Sequence, residues 1–193
     1  LMALNTAIFK EDWDKYASGN ISAWEMEVLC FYYHDHELKD VNMGKYGLVN
    51  FHSLPEEPIV ERTFTSRAGQ EVKIFKIHKI CGTCIAKNKT KSTVTLLTNT
   101  GVVDVKFRKE YFTLFDKQIS QKDADGIKHV VEKSWFNKGS MIIVQGIKMN
   151  DVFVAKKYNS SQGHQLYKID TINDDGTLTL RDGRYQGEAE DEM

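Results

Sequence analysis

Residues 1–38 carry apolar side chains at the three- and four-residue spacing of an α-helix. Thr6 can cap a first helix that ends at Gly19, and Ser22 with Glu25 three residues later forms the capping box of a second. Both predicted helices are rich in aromatic residues, so we expect them to pack on each other, on the rest of the chain or on a partner. The pattern therefore predicts a helical N-terminal segment.

After a connector, the spacing of apolar residues changes from the helical period to the alternation of a β-strand. Residues 39–72 show no sustained period and contain both prolines, so we expect a connector there. From Lys73 the apolar residues alternate with polar ones, and one strand is predicted to run through Gly82 to Ile85. A glycine inside a strand indicates a bulge or a tight bend, which a small barrel needs in its long first strand.

Residues 92–107 predict a β-hairpin with a turn at 98–101. Because side chains alternate between the two faces of a strand, the hairpin should have one buried and one open face. The buried face is predicted to carry Val94, Leu96, Val103, Val105 and Phe107. The open face is predicted to carry Thr93, Thr95, Leu97, Asp104, Lys106 and Arg108.

The remaining pattern predicts a short helix followed by more strands. Aromatic residues at helical spacing indicate a helix over 108–116, and a polar insert without an apolar period follows at 117–133. Two strands, at 141–148 and 152–158, are joined by a tight turn. Two shorter strands are then predicted at 165–170 and 177–180.

The order of strand, strand, strand, helix, strand, strand is that of an OB-fold, a five-stranded barrel that binds oligonucleotides across its second and third strands and the loops at its mouth. The predicted fold is therefore mainly β with a helical N-terminal extension, and the OB-fold barrel occupies residues 73–160. Short strands fill residues 161–187, and an acidic tail, 188–193, is expected to be disordered.

The net charge of −1 conceals an uneven distribution. Residues 62–91 hold eight basic groups against Glu71 alone, and residues 92–169 hold twelve basic against seven acidic groups. Acidic groups exceed basic ones in the segments on either side, 1–61 and 170–193. This asymmetry is expected when only one part of a chain meets a polyanion.

The three cysteines argue against a disulfide framework, because an odd number leaves a free thiol and favours a reducing compartment. Cys81 and Cys84 form a C-x-x-C pair, which suits zinc or thiol chemistry in other settings. No second pair exists, and an offset of three in a regular strand puts the sulfurs on opposite faces, so a structural role is favoured. A bulge at Gly82 would reunite them.

Other signals for metals, cofactors and membranes are weak. His34, Asp35 and His36 are candidates for half a metal site, but a solvated or capping role at a helix end is favoured. No phosphate-binding glycine loop or catalytic triad is evident, and we expect no cofactor. No run of 18 apolar residues exists and the first residues do not resemble a secretory signal, so we expect a cytoplasmic protein without a membrane partner.

Several segments resemble a known family. Residues 25–38, EMEVLCFYYHDHEL, are similar to the segment with a Glu-x-x-Leu-Gly-Phe-Tyr core that precedes the OB domain of bacterial DNA polymerase III alpha subunits. Residues 93–96, 101–105 and 111–112, and the GSMIIVQG stretch at 139–146, resemble that domain's hairpin, helix and fourth strand. The resemblance covers about residues 20–158.

The resemblance implies a non-catalytic part of a larger nucleotidyltransferase. The family's palm aspartates and metal-binding phosphoesterase domain have no counterpart in this sequence. Cys30 replaces the usual glycine, Glu37 the usual proline, and the insert at 117–133 is longer than the family norm, so we expect a divergent member such as a phage-borne one. The implied partners are single-stranded template DNA, the rest of the polymerase and other replisome subunits.

The predicted interface combines cations for phosphates with flat side chains for bases. A basic turn, Lys87 to Lys91, follows the first barrel strand, and polar and basic groups continue along the open face of the hairpin. The alternative for the lysines is a solvated loop, and the alternative for the aromatic residues is a position in the core. For the whole chain, the alternative function is that of a protein-interaction module. The candidates are Lys76, Lys87, Lys89, Lys91, Thr93, Thr95, Lys106, Arg108, Phe153 and Tyr158, and Phe64 and Phe75 are further candidates for stacking.

Overall fold

The computed structural model describes residues 25, 28, 29, 33, 35–123, 127–156 and 166–183. The chain divides into two compact units, Leu1–Asp35 and His36–Met193. In the first unit Glu25 and Val28 are helical, and the Leu29 N–H donates to the Glu25 carbonyl at 2.7 Å, in agreement with the second predicted helix. The first predicted helix lies outside the described residues.

In its described residues, the second unit consists mainly of strands, which we number β1 to β11, with two short helices, α1 and α2. A 3₁₀ turn, Phe51–Ser53, also precedes β1. The elements in chain order are α1 Met43–Tyr46, β1 Val60–Thr65, β2 Glu71–Phe75, β3 His78–Asn88, β4 Thr93–Thr98, β5 Gly101–Lys106, α2 Lys109–Phe115, β6 Ile119–Lys122, β7 Lys128–Glu132, β8 Met141–Met149, β9 Val152–Ala155, β10 Leu166–Ile172 and β11 Leu178–Asp182.

Five of these strands close into a barrel. β3 pairs antiparallel with β4 and β8, β4 pairs with β5, and β8 pairs with β9. The barrel closes through a parallel pairing of β5 with β9, in which Asp104 faces Val152 and Lys106 faces Val154. This order, with α2 between the third and fourth barrel strands, confirms the predicted five-stranded barrel and is consistent with an OB-fold.

The first barrel strand begins later than predicted. The expected strand from Lys73 to Ile85 is two strands, because the chain leaves β2 at Phe75 and enters β3 at His78. β2 pairs with β1 in a separate hairpin, whereas β3 pairs inside the barrel. Both strands alternate apolar and polar residues, so the sequence pattern continues across the break.

Gly82 lies where β3 and β4 approach each other closely. A Cβ atom at this position would come within 2.9 Å of both the Leu96 Cβ and the Leu97 carbonyl oxygen. The register between β3 and β4 shifts between Cys84 and Ala86, so the irregularity lies a few residues beyond the predicted position. Glycine at this position therefore leaves room for the close approach of β4.

The insert at 117–133 contains a β-hairpin that the sequence pattern did not predict. β6 pairs antiparallel with β7, and all four residues of β6 are exposed. Apolar residues alternate with polar ones only where one face of a strand is buried, and this hairpin has no such face. The absence of an apolar period therefore did not mean the absence of strands.

Among the residues that the structure describes, the hydrophobic core has two parts, one on either side of β3. The barrel interior holds the predicted buried face of the hairpin, and Val94, Leu96 and Val105 are fully buried. Rings from α2 and the segment before β8 fill the rest; Phe115 stacks on Trp135 at 5.4 Å between ring centroids. These contacts confirm the predicted assignment of the two hairpin faces.

The second part of the core covers the outside of β3 and β8. β10 pairs with residues 141–144 of β8, β11 pairs with β10, and Leu38, Leu48 and Ile143 are buried beneath them. Cys81 belongs to this cluster, whereas Cys84 belongs to the barrel interior. The two sulfurs therefore lie on opposite sides of β3, as the offset of three predicted. None of the helices described in the structure is long and apolar enough to cross a membrane.

Candidate nucleic-acid interface

A groove of about 740 Å³ lies on the open face of β4 and β5. The end of β3 and the following turn form one wall, and the first residue of β9 closes the opposite side. This is the position at which OB-folds bind oligonucleotides. The residues that line the groove are Ala86, Lys87, Asn88, Thr90, Lys91, Thr93, Thr95, Asp104, Lys106 and Val152.

The groove brings together five of the ten candidate residues, namely Lys87, Lys91, Thr93, Thr95 and Lys106. Cross-strand pairing explains why the strand residues meet. Thr93 pairs with Lys106 and Thr95 with Asp104, and the two side chains of a cross-strand pair share one face of the sheet. The hairpin register therefore builds the floor of the groove.

Sequence reasoning missed the other half of the groove lining. Asp104 was placed on the open face of the hairpin by alternation but was not proposed as a site residue. Val152 reaches the groove because β9 pairs in parallel with β5, a contact between strands far apart in sequence. Ala86, Asn88 and Thr90 carry neither a charge for phosphates nor a ring for bases, so neither criterion for a site residue applies to them.

The turn between β3 and β4 holds Lys91 at the rim of the groove. The Asn88 side-chain oxygen accepts from the Lys91 N–H at 3.0 Å, and the Thr93 hydroxyl donates to the Lys91 carbonyl at 3.3 Å. Ser92 is buried and adopts a positive φ of 52°, and its carbonyl accepts from the Phe107 N–H at 2.9 Å. The basic turn is therefore a defined structure anchored to the barrel.

Asp116 binds the two other lysines of this turn. Its carboxylate forms ion pairs with Lys87 and, at 3.1 Å, with Lys89, and accepts from the Ser134 hydroxyl at 2.8 Å. The Asp116 side chain is 8% exposed, whereas the Lys89 side chain is 73% exposed. Lys87 thus lies between the groove and a nearly buried anion that partly neutralises it.

The pKa of Asp116 reflects this balance. Burial raises the pKa, but hydrogen bonds from Lys87, Ser134 and Lys89 outweigh it, and the pKa lies below its ordinary value of 3.8. The carboxylate is therefore charged at neutral pH. The negative charge next to the basic turn is a permanent feature of the site.

The remaining candidates lie outside the groove or outside the described residues. Lys76 lies between β2 and β3, Arg108 precedes α2 beyond the end of β5, and Lys89 points to Asp116.

The prediction that Phe153 stacks on a base is corrected, because its side chain is fully buried and packs edge-on against Phe51. Tyr158 lies outside the described residues. Of the two further stacking candidates, Phe64 is 48% exposed on β1 and Phe75 is half-buried at the end of β2.

His36 and the cysteine pair have structural surroundings, whereas His34 lies outside the described residues. His36 donates from Nε2 to the Leu97 carbonyl at 2.9 Å and accepts at Nδ1 from the Leu38 N–H at 3.0 Å. Burial raises the pKa of the Cys81 thiol to about 12, and raises that of Cys84 further. Among the described residues, no group of three or more His, Cys, Asp or Glu side chains is arranged to hold a metal ion.

The chain is thus a mostly β protein with a closed five-stranded barrel that is consistent with an OB-fold, and lysines line the groove on the β4–β5 face. Over 181 residues, 93% of its length, the chain is 37% identical to the probable DNA polymerase YorL of Bacillus subtilis (strain 168). It is equally similar to a DNA-directed DNA polymerase of Bacillus phage SPbeta. The match covers 14% of the length of either relative. No family model and no solved structure matches the chain.

Proposed function

We propose that this chain is a non-catalytic module of a replicative DNA polymerase that binds single-stranded template DNA through the groove on β4 and β5. The finer assignment, to the OB domain of a DNA polymerase III alpha subunit, follows the resemblance of residues 25–38 and 139–146 to that family. The similarity to two DNA polymerases supports a role in DNA replication. In the cell we expect a cytoplasmic location, with the rest of the polymerase and other replisome subunits as partners.

The observation that carries this proposal is the basic groove at the oligonucleotide-binding face of the barrel. Lys91 and Lys106 line it without an ion pair among the described residues, and Lys87 lies beside them. Cations spaced along a groove suit a backbone of phosphates, and such contacts carry little sequence information. The threonine hydroxyls of the floor add neutral hydrogen-bonding groups.

The mechanism differs in one respect from the sequence expectation. None of the groove-lining residues in the described part of the chain is aromatic. Base stacking contributes about 1–3 kcal/mol per base in proteins that use it. We therefore expect the groove itself to bind DNA mainly through phosphate contacts, with modest affinity and a marked dependence on salt.

The test is the salt dependence of binding to a labelled oligonucleotide, measured by fluorescence anisotropy. Three phosphate contacts, from Lys87, Lys91 and Lys106, predict a slope of log affinity against log salt of about −2, at about 0.7 per contact on a single strand. Replacing Lys91 and Lys106 together by alanine should flatten the slope by about 1.4. We choose these two lysines because neither supports Asp116.

The matched control replaces two exposed lysines outside the groove, Lys45 and Lys138, and so removes the same charge. This control should keep the slope of the parent protein. Equal slopes for the parent and the Lys91→Ala, Lys106→Ala variant would contradict the proposal. Equal flattening in the control variant would show that only the total charge matters.

A protein-interaction module is the second candidate, and a specific observation favours it. Both two-stranded hairpins expose apolar side chains: Val60 and Phe64 in β1–β2 are 43% and 48% exposed, and Val130 and Val131 in β7 are 49% and 59% exposed. Exposed apolar side chains grouped on one element often mark a protein contact. If the groove variant binds DNA like the parent, docking of these hairpins on the rest of the polymerase becomes the leading function.

A further inference from the structure

Asp104 is an anion on the floor of a groove that we propose for a polyanion. It lies in β5 opposite Thr95, and both side chains line the groove. The Thr95 hydroxyl donates to Asp104 Oδ1 at 2.7 Å. In the part of the chain that the structure describes, Asp104 forms no ion pair, and Oδ2 has no hydrogen-bond partner.

This carboxylate restricts how a single strand can lie in the groove. A phosphate beside Asp104 would face its negative charge, whereas a phosphate beside Lys91 in the turn, or beside Lys106 at the last residue of β5, would face a cation. The phosphates are therefore expected beside Lys91 and Lys106, with a base rather than a phosphate next to Asp104. The same cross-strand pairs that bring Lys106 into the groove also place Asp104 within reach of a base edge.

We propose that Asp104 selects bases that present amino hydrogens, so that the groove discriminates among single strands by their donor groups. This inference rests on the proposed function of the groove. The hydrogen bond from Thr95 fixes the orientation of the carboxylate and leaves Oδ2 as an acceptor. A carboxylate accepts from the cytosine N4 amino group and rejects groups that are themselves acceptors.

Thymine is the base that this arrangement disfavours. Its exposed edge has carbonyl oxygens at positions 2 and 4 and a single N–H between them, so a carboxylate placed against it faces two acceptors. Cytosine has an amino group in place of the carbonyl at position 4. Thymine also carries a methyl group at position 5 that cytosine lacks, so a preference between them is assigned to the donor pattern only when a strand without the amino group alone loses it.

The experiment compares binding of a cytosine 12-mer and a thymine 12-mer to the full chain at pH 8, where cytosine strands do not pair through protons. The parent should bind the cytosine strand about fivefold to tenfold more tightly. A third strand, built on 2-pyrimidinone, has the cytosine ring without its amino group. This strand should lose the advantage over thymine.

Asp104→Asn is the informative variant, because the amide keeps an oxygen for the Thr95 hydroxyl while it removes the charge. We expect the variant to bind the thymine strand more tightly than the parent does and to lose most of the preference for cytosine. Asp174→Asn, in the turn between β10 and β11, makes the same charge change outside the groove and should keep the preference.

The outcomes separate the inference from the function on which it rests. Equal affinities of the parent for the two strands, or a preference that Asp104→Asn leaves unchanged, would overturn the role of Asp104 while leaving DNA binding intact. Binding to neither strand would contradict the proposed function and the selectivity together. A preference that Asp174→Asn also abolishes would show that net charge, not the base contact, is responsible.

Discussion

Replacing Asp116 by asparagine should weaken the fold and strengthen DNA binding at the same time. The side chain keeps its shape but loses the charge that binds Lys87 and Lys89. Its oxygen can still accept from the Ser134 hydroxyl, which Asp116 now does at 2.8 Å. The variant therefore changes the electrostatics of the basic turn with little change in packing.

The expected loss of stability follows from the two ion pairs. A hydrogen bond to a charged group contributes about 1.5–3 kcal/mol, and part of this remains when the acceptor is a neutral amide. The pair with Lys89 adds less than about 1 kcal/mol, because that lysine is 73% exposed. We expect Asp116→Asn to lower the free energy of unfolding by about 1–2 kcal/mol at pH 7, which corresponds to about 3–6 °C in Tm for a chain of this size.

The same change releases two cations beside the groove. Lys87 is already one of the three phosphate contacts proposed for the parent, so the new contact is that of Lys89, and the slope of log affinity against log salt should become steeper by about 0.7. Binding at low salt should tighten accordingly. The opposite signs of the two effects distinguish this prediction from general damage to the fold, which would weaken both.

Denaturant unfolding at several pH values and anisotropy titrations at several salt concentrations measure the two effects. Because the pKa of Asp116 is lowered on folding, its stabilisation is present above pH 4 or so and is lost as the carboxylate becomes protonated at lower pH. The parent and the variant should therefore converge in stability at low pH. A folded variant that binds DNA more weakly than the parent would refute the reasoning, because it would show that Asp116 positions the lysines for DNA.

Two further predictions concern groups that the sequence singled out. Burial lowers the pKa of His36 below 6.5, so the unfolded chain takes up the proton first and stability should fall as the pH drops through 6.5. In denaturant unfolding, the His36→Gln variant should show a smaller fall in stability than the parent. An identical pH profile of stability for the two proteins would contradict this role of His36. Phe153→Ala should lower the free energy of unfolding by about 3–5 kcal/mol because the ring is fully buried. Phe153→Leu should stay folded and bind DNA like the parent. Weak DNA binding by a stable Phe153→Leu protein would restore the stacking role of Phe153.

The barrel could be predicted because its strands carry a pattern that burial imposes. Val94, Leu96, Val103 and Val105 alternate with polar residues, since one face of the hairpin fills the barrel and the other faces solvent. The same alternation placed Thr93, Thr95 and Lys106 together on the open face. Where this physical cause was present, the sequence predicted both the strands and the side of the barrel that forms the groove.

The hairpins outside the barrel contain strands without a buried face, so burial imposes no alternating pattern on those strands. All six residues of β1 and all four of β6 are exposed, so no alternation marks them as strands. The alternation that begins at Lys73 crosses from β2 into β3 without interruption, although the two strands pair with different partners. Only the backbone hydrogen bonds of the folded chain separate them.

The chemistry of the groove depended on contacts between distant residues. The sequence by itself determined which residues are cationic and which hairpin face is open, and it favoured opposite sides of a strand for Cys81 and Cys84. The tertiary structure alone decided that Phe153 fills the barrel and that Val152 closes the groove. It also brought Asp116 to Lys87 across 29 positions of sequence, because Phe112 and Phe115 of α2 pack into the barrel core and Asp116 directly follows that helix. Local periodicity reports burial on one strand, and only the folded chain determines which charges meet.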